Sequence, residues 1–329
     1  MTNRADFGNV ITAMVTPFKA DDRQNVDFEK IILLANHLLQ NGTDTLLLTG
    51  STGEDAQLSP NEKWDILKTV RQNTPSDTRI MVSTGDTNTG RAIDKAKKAF
   101  ELGADSVLIS VPEYIKPPQK AMLIHFNAIA KAIAPNPMMI YNIPGRTGSE
   151  ILPETVARLA YKNNNIIGIK QSCNNLDRVS EMLGQYHINY SRPDFQVYSG
   201  DDSLTLPMLA LGAKGIVSVV SHLQGPLIQQ MIQEFKVGHI ESACKIHRNL
   251  FPLFKALFVE TNPLPIKEAL YQKGIIESPL CRTLGEMSSK NKQNLIRLLK
   301  IFDNPEQRSK IPDDKEEFLN KKTQKPYSL

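Results

Sequence analysis

Lys170 closes the apolar run Asn165-Ile166-Ile167-Gly168-Ile169-Lys170, so a single amine stands where a buried strand meets a loop. Lysines are seldom fully buried without a partner, and an amine held away from water is a candidate covalent nucleophile towards a carbonyl carbon. The same placement also suits a side chain that simply carries its ammonium out to solvent. Three further segments bear on that choice. Gly50-Ser51-Thr52-Gly53-Glu54 sets two hydroxyls between glycines, which lets backbone N–H groups approach an anion and side-chain O–H groups donate to it. An ordinary turn leading into a helix cap has the same composition. Tyr141-Asn142-Ile143-Pro144-Gly145-Arg146-Thr147-Gly148 brings a phenol and a guanidinium to one strand end. A tyrosine beside an amine can relay protons, and arginine pairs with a carboxylate through two hydrogen bonds, although either residue is unremarkable alone. Val111-Pro112-Glu113-Tyr114-Ile115-Lys116-Pro117-Pro118 is a proline-stiffened loop that is either a rigid crossover or a mount for Tyr114 over a neighbouring site.

Other chemistries find little footing. The six histidines show no metal-ligand spacing with cysteine or carboxylate neighbours, so no metal is expected. Neither a G-x-S-x-G elbow nor a Walker loop occurs. The 39 Lys+Arg and 35 Asp+Glu are interspersed, giving a net charge of +4 without a basic patch, and this predicts neither a nucleic-acid nor a membrane partner. Three cysteines, Cys173, Cys244 and Cys281, are an odd number without C-x-x-C spacing, which predicts free thiols in a reducing cytoplasm. The first residues, Met1-Thr2-Asn3-Arg4-Ala5-Asp6, contain no apolar leader, and no apolar run is long enough to span a bilayer.

The elements that must position these residues alternate regularly. Short β-rich runs are predicted at Val10–Val15, Thr45–Leu48, Ile80–Ser83, Ser106–Ile109, Met138–Tyr141, Ile166–Lys170, Gln196–Ser199 and Gly215–Val219, with helical stretches between them. Such alternation argues a parallel sheet with right-handed crossovers. The joints Asn41-Gly42-Thr43-Asp44, Leu102-Gly103-Ala104-Asp105 and Leu211-Gly212-Ala213-Lys214 repeat one unit, a helix-ending glycine followed by a strand. Ser59-Pro60-Asn61-Glu62 reads as a capping box with proline in the first turn. Eight units predict a (β/α)8 TIM barrel over residues 8–237, with an open doubly wound sheet as the alternative. Residues 238–302 are predicted to add a C-terminal helical region with segments near Ile240–Leu257, Pro265–Gln272 and Lys290–Phe302. Residues 303–329, charged and poor in large apolar side chains, are expected to be a surface or disordered tail.

A lysine, two tyrosines, two hydroxyls and an arginine on one barrel face form the set a Schiff-base aldolase uses. Together, Gly50–Glu54, Tyr141–Pro144 with Arg146–Gly148, Gly168–Lys170, Ser199–Asp202 and Phe258–Pro263 resemble the dihydrodipicolinate synthase family. That family lies within the pyruvate-aldolase superfamily that also holds N-acetylneuraminate lyase. The resemblance spans about residues 8–302, in order. It implies that Lys170 forms a Schiff base with pyruvate and that Tyr141 donates and accepts the protons. Ser51 and Tyr114 would complete the relay, Tyr114 reaching in from a neighbouring subunit of a homo-oligomer. Thr52 and the Val217 backbone would hold the pyruvate carboxylate, with Gly200 among the substrate-binding residues, and Arg146 would meet the carboxylate of L-aspartate 4-semialdehyde. The implied product is the precursor of diaminopimelate and lysine, and the covalent amine serves as electron sink without a cofactor.

Ser51 and Gln171 stand where the synthases usually carry threonine and an acidic residue, and both are closer to the lyases. Arg146 and the Phe258–Pro263 segment are synthase-like, and the arginine weighs more because it recognises a second carboxylate. The synthase is therefore the main expectation. N-acetylneuraminate lyase or another Schiff-base pyruvate aldolase is the alternative, and a catalytically silent scaffold is the third possibility. Lysine-inhibited family members bind that amino acid at the positions matching Pro60, Lys63, Thr87, Arg91 and Glu113. Cations at Lys63 and Arg91 predict insensitivity to lysine.

Overall fold

The computed structural model describes residues 6–185, 192 and 194–304. Eight parallel strands pair in chain order, and the last pairs with the first, closing a barrel. They are β1 (Val10–Ala13), β2 (Thr45–Leu48), β3 (Arg79–Ser83), β4 (Ser106–Ser110), β5 (Met138–Asn142), β6 (Ile166–Gln171), β7 (Gln196–Ser199) and β8 (Gly215–Ser218). Each predicted run lies within two residues of a strand at either end. The strands carry apolar residues on both faces because both faces are buried. Ile11, Leu47, Met81, Leu108, Met139 and Val217 point into the barrel. Their neighbours Val10, Leu46, Ile80, Val107, Met138 and Ile216 point outward under the helices, as two-residue periodicity requires.

The outer layer comprises α1 (Phe28–Gln40), α2 (Pro60–Asn73), α3 (Thr89–Glu101), α4 (Gln119–Ile133), a short α5 (Pro144–Thr147), α6 (Pro153–Lys162), α7 (Leu176–Gln185), α8 (Thr205–Ala210) and α9 (Ser221–Lys236). The α2 cap has the expected form, with Ser59 accepting from the Glu62 amide and Glu62 from the Ser59 amide. The repeated joint has its expected cause as well: Gly42, Gly103 and Gly212 all have φ between 85° and 102°, a left-handed backbone that costs glycine little.

One irregularity matters for the site. Pairing of β5 with β6 slips by one residue between Met138 and Met139, so Met138 faces Ile166 but Met139 faces Gly168 and Tyr141 faces Lys170. Without the slip Tyr141 would pair with Ile169, which packs outward against the helices. The bulge thus re-aims Lys170 to the interior, next to a tyrosine already there.

Three further helices follow the barrel: α10 (Ile240–Ala256), α11 (Leu264–Gln272) and α12 (Ser289–Asp303). Leu264 to Leu270 of α11 are all buried. The segment that enters α11 returns to the strand ends of the first half of the chain. The last helix runs through Asp303, one residue into the predicted tail, and residues 305–329 lie outside the described set.

Candidate active site

The side chains singled out in the sequence meet at the C-terminal end of the strands, where barrel loops assemble reactive groups. Lys170 is 5% exposed, and its Nζ lies 4.3 Å from the centroid of the Tyr141 ring. Among the described residues no carboxylate pairs with this ammonium. The amine therefore faces a phenol and not an acid, the arrangement in which it can attack a carbonyl while a neighbour moves protons. Tyr141 and Ser51 line a cavity of about 420 Å³ together with Ile143, Arg146, Thr147 and Asn262.

Two potential carboxylate anchors flank that cavity and share one partner. Thr52 is 2% exposed, and its Oγ1 accepts a hydrogen bond from Asn262 Nδ2 at 2.8 Å. Because that oxygen is already an acceptor, its own proton is free to be donated elsewhere. Arg146, on α5, donates from Nη2 to the Asn262 carbonyl at 3.0 Å, which fixes one arm of the guanidinium. Asn262 is thus the functional residue that sequence reasoning left without a role, although its segment was among the family motifs. It lies 210 residues from Thr52, and no local pattern announces such a contact.

Gly200 follows β7 and donates its amide to the Gln171 carbonyl at 2.8 Å. A Cβ there would lie 1.8 Å from Ser172 Oγ and 3.0 Å from Lys170 Cε, so only glycine leaves room beside the amine. Ser172 Oγ itself is buried and has no hydrogen-bond partner among the described residues. It is a second polar group near Lys170 that went unnoticed, and its one signal is a hydroxyl two positions beyond the lysine. Val217 lines the barrel interior on β8 at 2% exposure. The end of that strand is tied by Asp202, whose carboxylate accepts from the Ser218 hydroxyl and from the Val219 and Val220 amides. Burial pushes the Asp202 carboxyl up to about 6 despite these bonds. His222 accepts from the Val15 amide through Nε2 and contacts the Val219 carbonyl through Nδ1, and burial lowers it to about 4.

Gln171 is buried beside the site, accepting from Asn142 Nδ2 at 3.1 Å and donating to Cys173 Sγ at 2.8 Å. An amide serves both contacts, one as acceptor and one as donor, which an ionised carboxylate cannot. The Tyr114 side chain does not line its own chain's cavity. It is 90% exposed on a backbone with φ of 69°, its amide bonded to the Thr147 carbonyl at 3.1 Å. Lys63 pairs with Asp55 at 2.7 Å, and Arg91 pairs with Asp86 at 2.8 Å. Those cations are therefore partly neutralised within the chain. Pro60 and Lys63 line an adjoining cavity of about 320 Å³, whereas Thr87 and Glu113 line the cavity of Tyr141.

A sequence profile of the Dihydrodipicolinate synthetase family matches residues 6–302. The chain is 47% identical over 289 residues to a 4-hydroxy-tetrahydrodipicolinate synthase of Nostoc punctiforme, covering 87% of this chain and 96% of that one. It is 49% identical over 269 residues to the protein of the same name from Thermosynechococcus vestitus, covering 82% and 88%. Among solved structures, a dihydrodipicolinate synthase from Cyanidioschyzon merolae with lysine bound superposes with a TM-score of 0.85 at 41% identity, covering 89% of this chain and 97% of that one.

Proposed function

Because the chain belongs to the Dihydrodipicolinate synthetase family, we propose that it catalyses the reaction its relatives are named for, condensing pyruvate with L-aspartate 4-semialdehyde to 4-hydroxy-tetrahydrodipicolinate. The observation that carries this is the pairing of Lys170 Nζ with the Tyr141 ring at 4.3 Å, beside a cavity that holds Arg146. A Schiff-base lysine suits any pyruvate aldolase, whereas an arginine held by Asn262 supplies a site for the second substrate's carboxylate. This favours the synthase over the N-acetylneuraminate lyase.

The chemistry proceeds by proton transfers around one covalent bond. The Lys170 amine adds to C2 of pyruvate, and loss of water gives the Schiff base. The resulting cation draws electrons from the methyl group, and Tyr141 removes a methyl proton to give the enamine. The enamine carbon attacks the aldehyde, whose oxygen takes a proton from the relay. The amino group of the second substrate then closes on the imine carbon and displaces Lys170. Thr52 and the Val217 backbone hold the pyruvate carboxylate, Gly200 leaves the space beside the amine, and Ser51 links Tyr141 to the rest of the relay. Tyr114 is assigned to the site of a second copy, because its side chain stands in solvent on a left-handed backbone in a single chain. The working protein is then at least a dimer. Cys173, Cys244 and Cys281 are free, which fits the reducing cytoplasm, and no described helix is long and apolar enough to cross a membrane.

Borohydride trapping tests the assignment. With pyruvate, the added mass should fall on the peptide containing Lys170, and the trapped protein should turn over aspartate semialdehyde no further. Labelling of another lysine, with Lys170→Ala still trapped, would sink it. Pyruvate release from N-acetylneuraminate without turnover of aspartate semialdehyde would favour the lyase instead.

A further inference from the structure

We propose that the buried ion pair between Glu54 and Lys267 is a positioning device for the Ser51-Thr52 turn, so that α11, outside the barrel, sets how tightly the pyruvate carboxylate is held. The inference rests on the function proposed above.

Glu54 ends the Gly50–Glu54 turn with φ of 59° and ψ of 39°, a left-handed conformation that a glutamate adopts only when its surroundings impose it. The side chain shows what imposes it. Glu54 Oε1 accepts from Lys267 Nζ at 2.8 Å, and Oε2 accepts from the Arg282 amide at 3.0 Å. The two side chains of the pair are 0% and 4% exposed. Lys267 Nζ also lies 4.1 Å from the Phe18 ring centroid, and the Arg282 guanidinium lies 4.4 Å from it. Arg282 extends the tie to the α2 cap by pairing with Glu62 at 2.6 Å.

The placement of this pair makes it more than a fold contact. Thr52 is bonded to Asn262 and Glu54 to Lys267, so the turn is gripped on both sides of Gly53 by residues five apart on one segment. Thr16 adds a third hold, donating to the Gly53 carbonyl at 2.7 Å. A side chain at Gly53 has no room, since a Cβ would stand 3.0 Å from the Met14 carbonyl oxygen. A shift of Glu54 therefore moves the Thr52 hydroxyl and amide with it. A buried ion pair brings little net stability compared with apolar side chains of the same size, so stability alone does not account for two charges at this spot. Its directional bonds instead fix the angle at which the turn faces the cavity.

The test uses pyruvate-dependent borohydride trapping at Lys170 in the full chain, read by intact-protein mass. The double variant Glu54→Gln/Lys267→Met removes both charges at similar volume, and its melting temperature should stay within about 3 °C of the parent. Its half-saturating pyruvate concentration should rise by at least about tenfold, as loss of one charge-assisted bond to a carboxylate predicts. Trapping at saturating pyruvate should still be complete. Half-saturation within about twofold of the parent in a folded double variant would overturn the proposal, since the pair would then be structural only. If the double variant does not fold, Glu54→Asp alone carries the same test, because it keeps both charges and draws the carboxylate back from Lys267 and the Arg282 amide. An unchanged half-saturation there overturns the proposal equally. Absence of trapping in the parent would remove the proposed function itself, and is seen before any variant is made.

Discussion

Replacing Asn262 by aspartate changes one NH2 for an oxygen at the residue that both proposed carboxylate anchors, Thr52 and Arg146, contact. In the parent, Thr52 Oγ1 accepts from Asn262 Nδ2 at 2.8 Å, which leaves the Thr52 proton for the proposed bond to the pyruvate carboxylate. With aspartate, Thr52 has to donate to the new acceptor, and its proton turns away from the cavity. Asn262 is 7% and Thr52 2% exposed, so solvent offers no substitute partner. The loss is that of a hydroxyl bonded to a charged carboxylate, about 1.5–3 kcal/mol, or roughly a 10- to 150-fold rise in half-saturating pyruvate. Arg146 is bonded to the main-chain carbonyl of Asn262, which the substitution keeps. The apparent KM for aspartate semialdehyde should consequently change less than that for pyruvate. Arg146→Ala gives the opposite pattern, with pyruvate trapping kept and use of the semialdehyde weakened by a similar factor. Initial rates in a coupled assay with each substrate varied in turn measure both. Unchanged pyruvate half-saturation in folded Asn262→Asp, or an equal loss for both substrates, would refute the division of labour between Thr52 and Arg146.

Tyr114→Phe and Lys170→Ala proteins should each be nearly inactive, and mixing them under subunit exchange should restore activity. Verified mixed oligomers without recovery would place Tyr114 outside a shared site. Stability against acid should depend on two opposed groups. His222, lowered from 6.5 to about 4, contributes stability that is fully present above pH 6.5 and is lost as pH falls towards 4. Asp202, raised from 3.8 to about 6, contributes stability that is present below pH 3.8 and is lost as pH rises through 6. The two nearly cancel between pH 6 and 4, and Asp202→Asn should unmask an extra loss of about 3 kcal/mol over pH 6.5 to 4. Urea unfolding at stepped pH measures this, and parallel curves for parent and variant would contradict it. Millimolar L-lysine should leave steady-state activity unchanged, because Lys63 and Arg91 set cations, although paired with Asp55 and Asp86, where a ligand with two ammonium groups would bind. Saturable inhibition in a lysine titration would show that Asp55, Asp86 and Glu113 outweigh them.

Much of the architecture was legible because local chemistry and global fold agree. The eight apolar runs read as strands since both their faces are buried, and the Ser59 cap and the helix-ending glycines have short-range causes. Lys170 stood out because a strand buried on both faces has no structural use for an ammonium. What escaped was set by register and by distant contacts. The one-residue slip between β5 and β6 decides which way Lys170 points, and it has no mark in either strand's pattern. Asn262, Lys267 and Arg282 act on residues more than 200 positions earlier. Their partners are chosen by how the appended helices fold back over the barrel, which periodicity cannot convey. Ser172 escaped as well, since a hydroxyl after a strand usually caps a turn.

The tie between Glu54 and Arg282 spans 228 residues, and this orders events during synthesis. At roughly 5–20 residues per second, about 10–45 seconds separate the emergence of the two ends. Throughout that interval the nascent barrel carries Glu54 without the amide it will accept from, and Lys267 follows only shortly before Arg282. The Gly50–Glu54 turn can therefore take its final shape only once Arg282 has emerged. A ribosome-bound chain halted before Lys267 should hold pyruvate poorly even if its strands have closed.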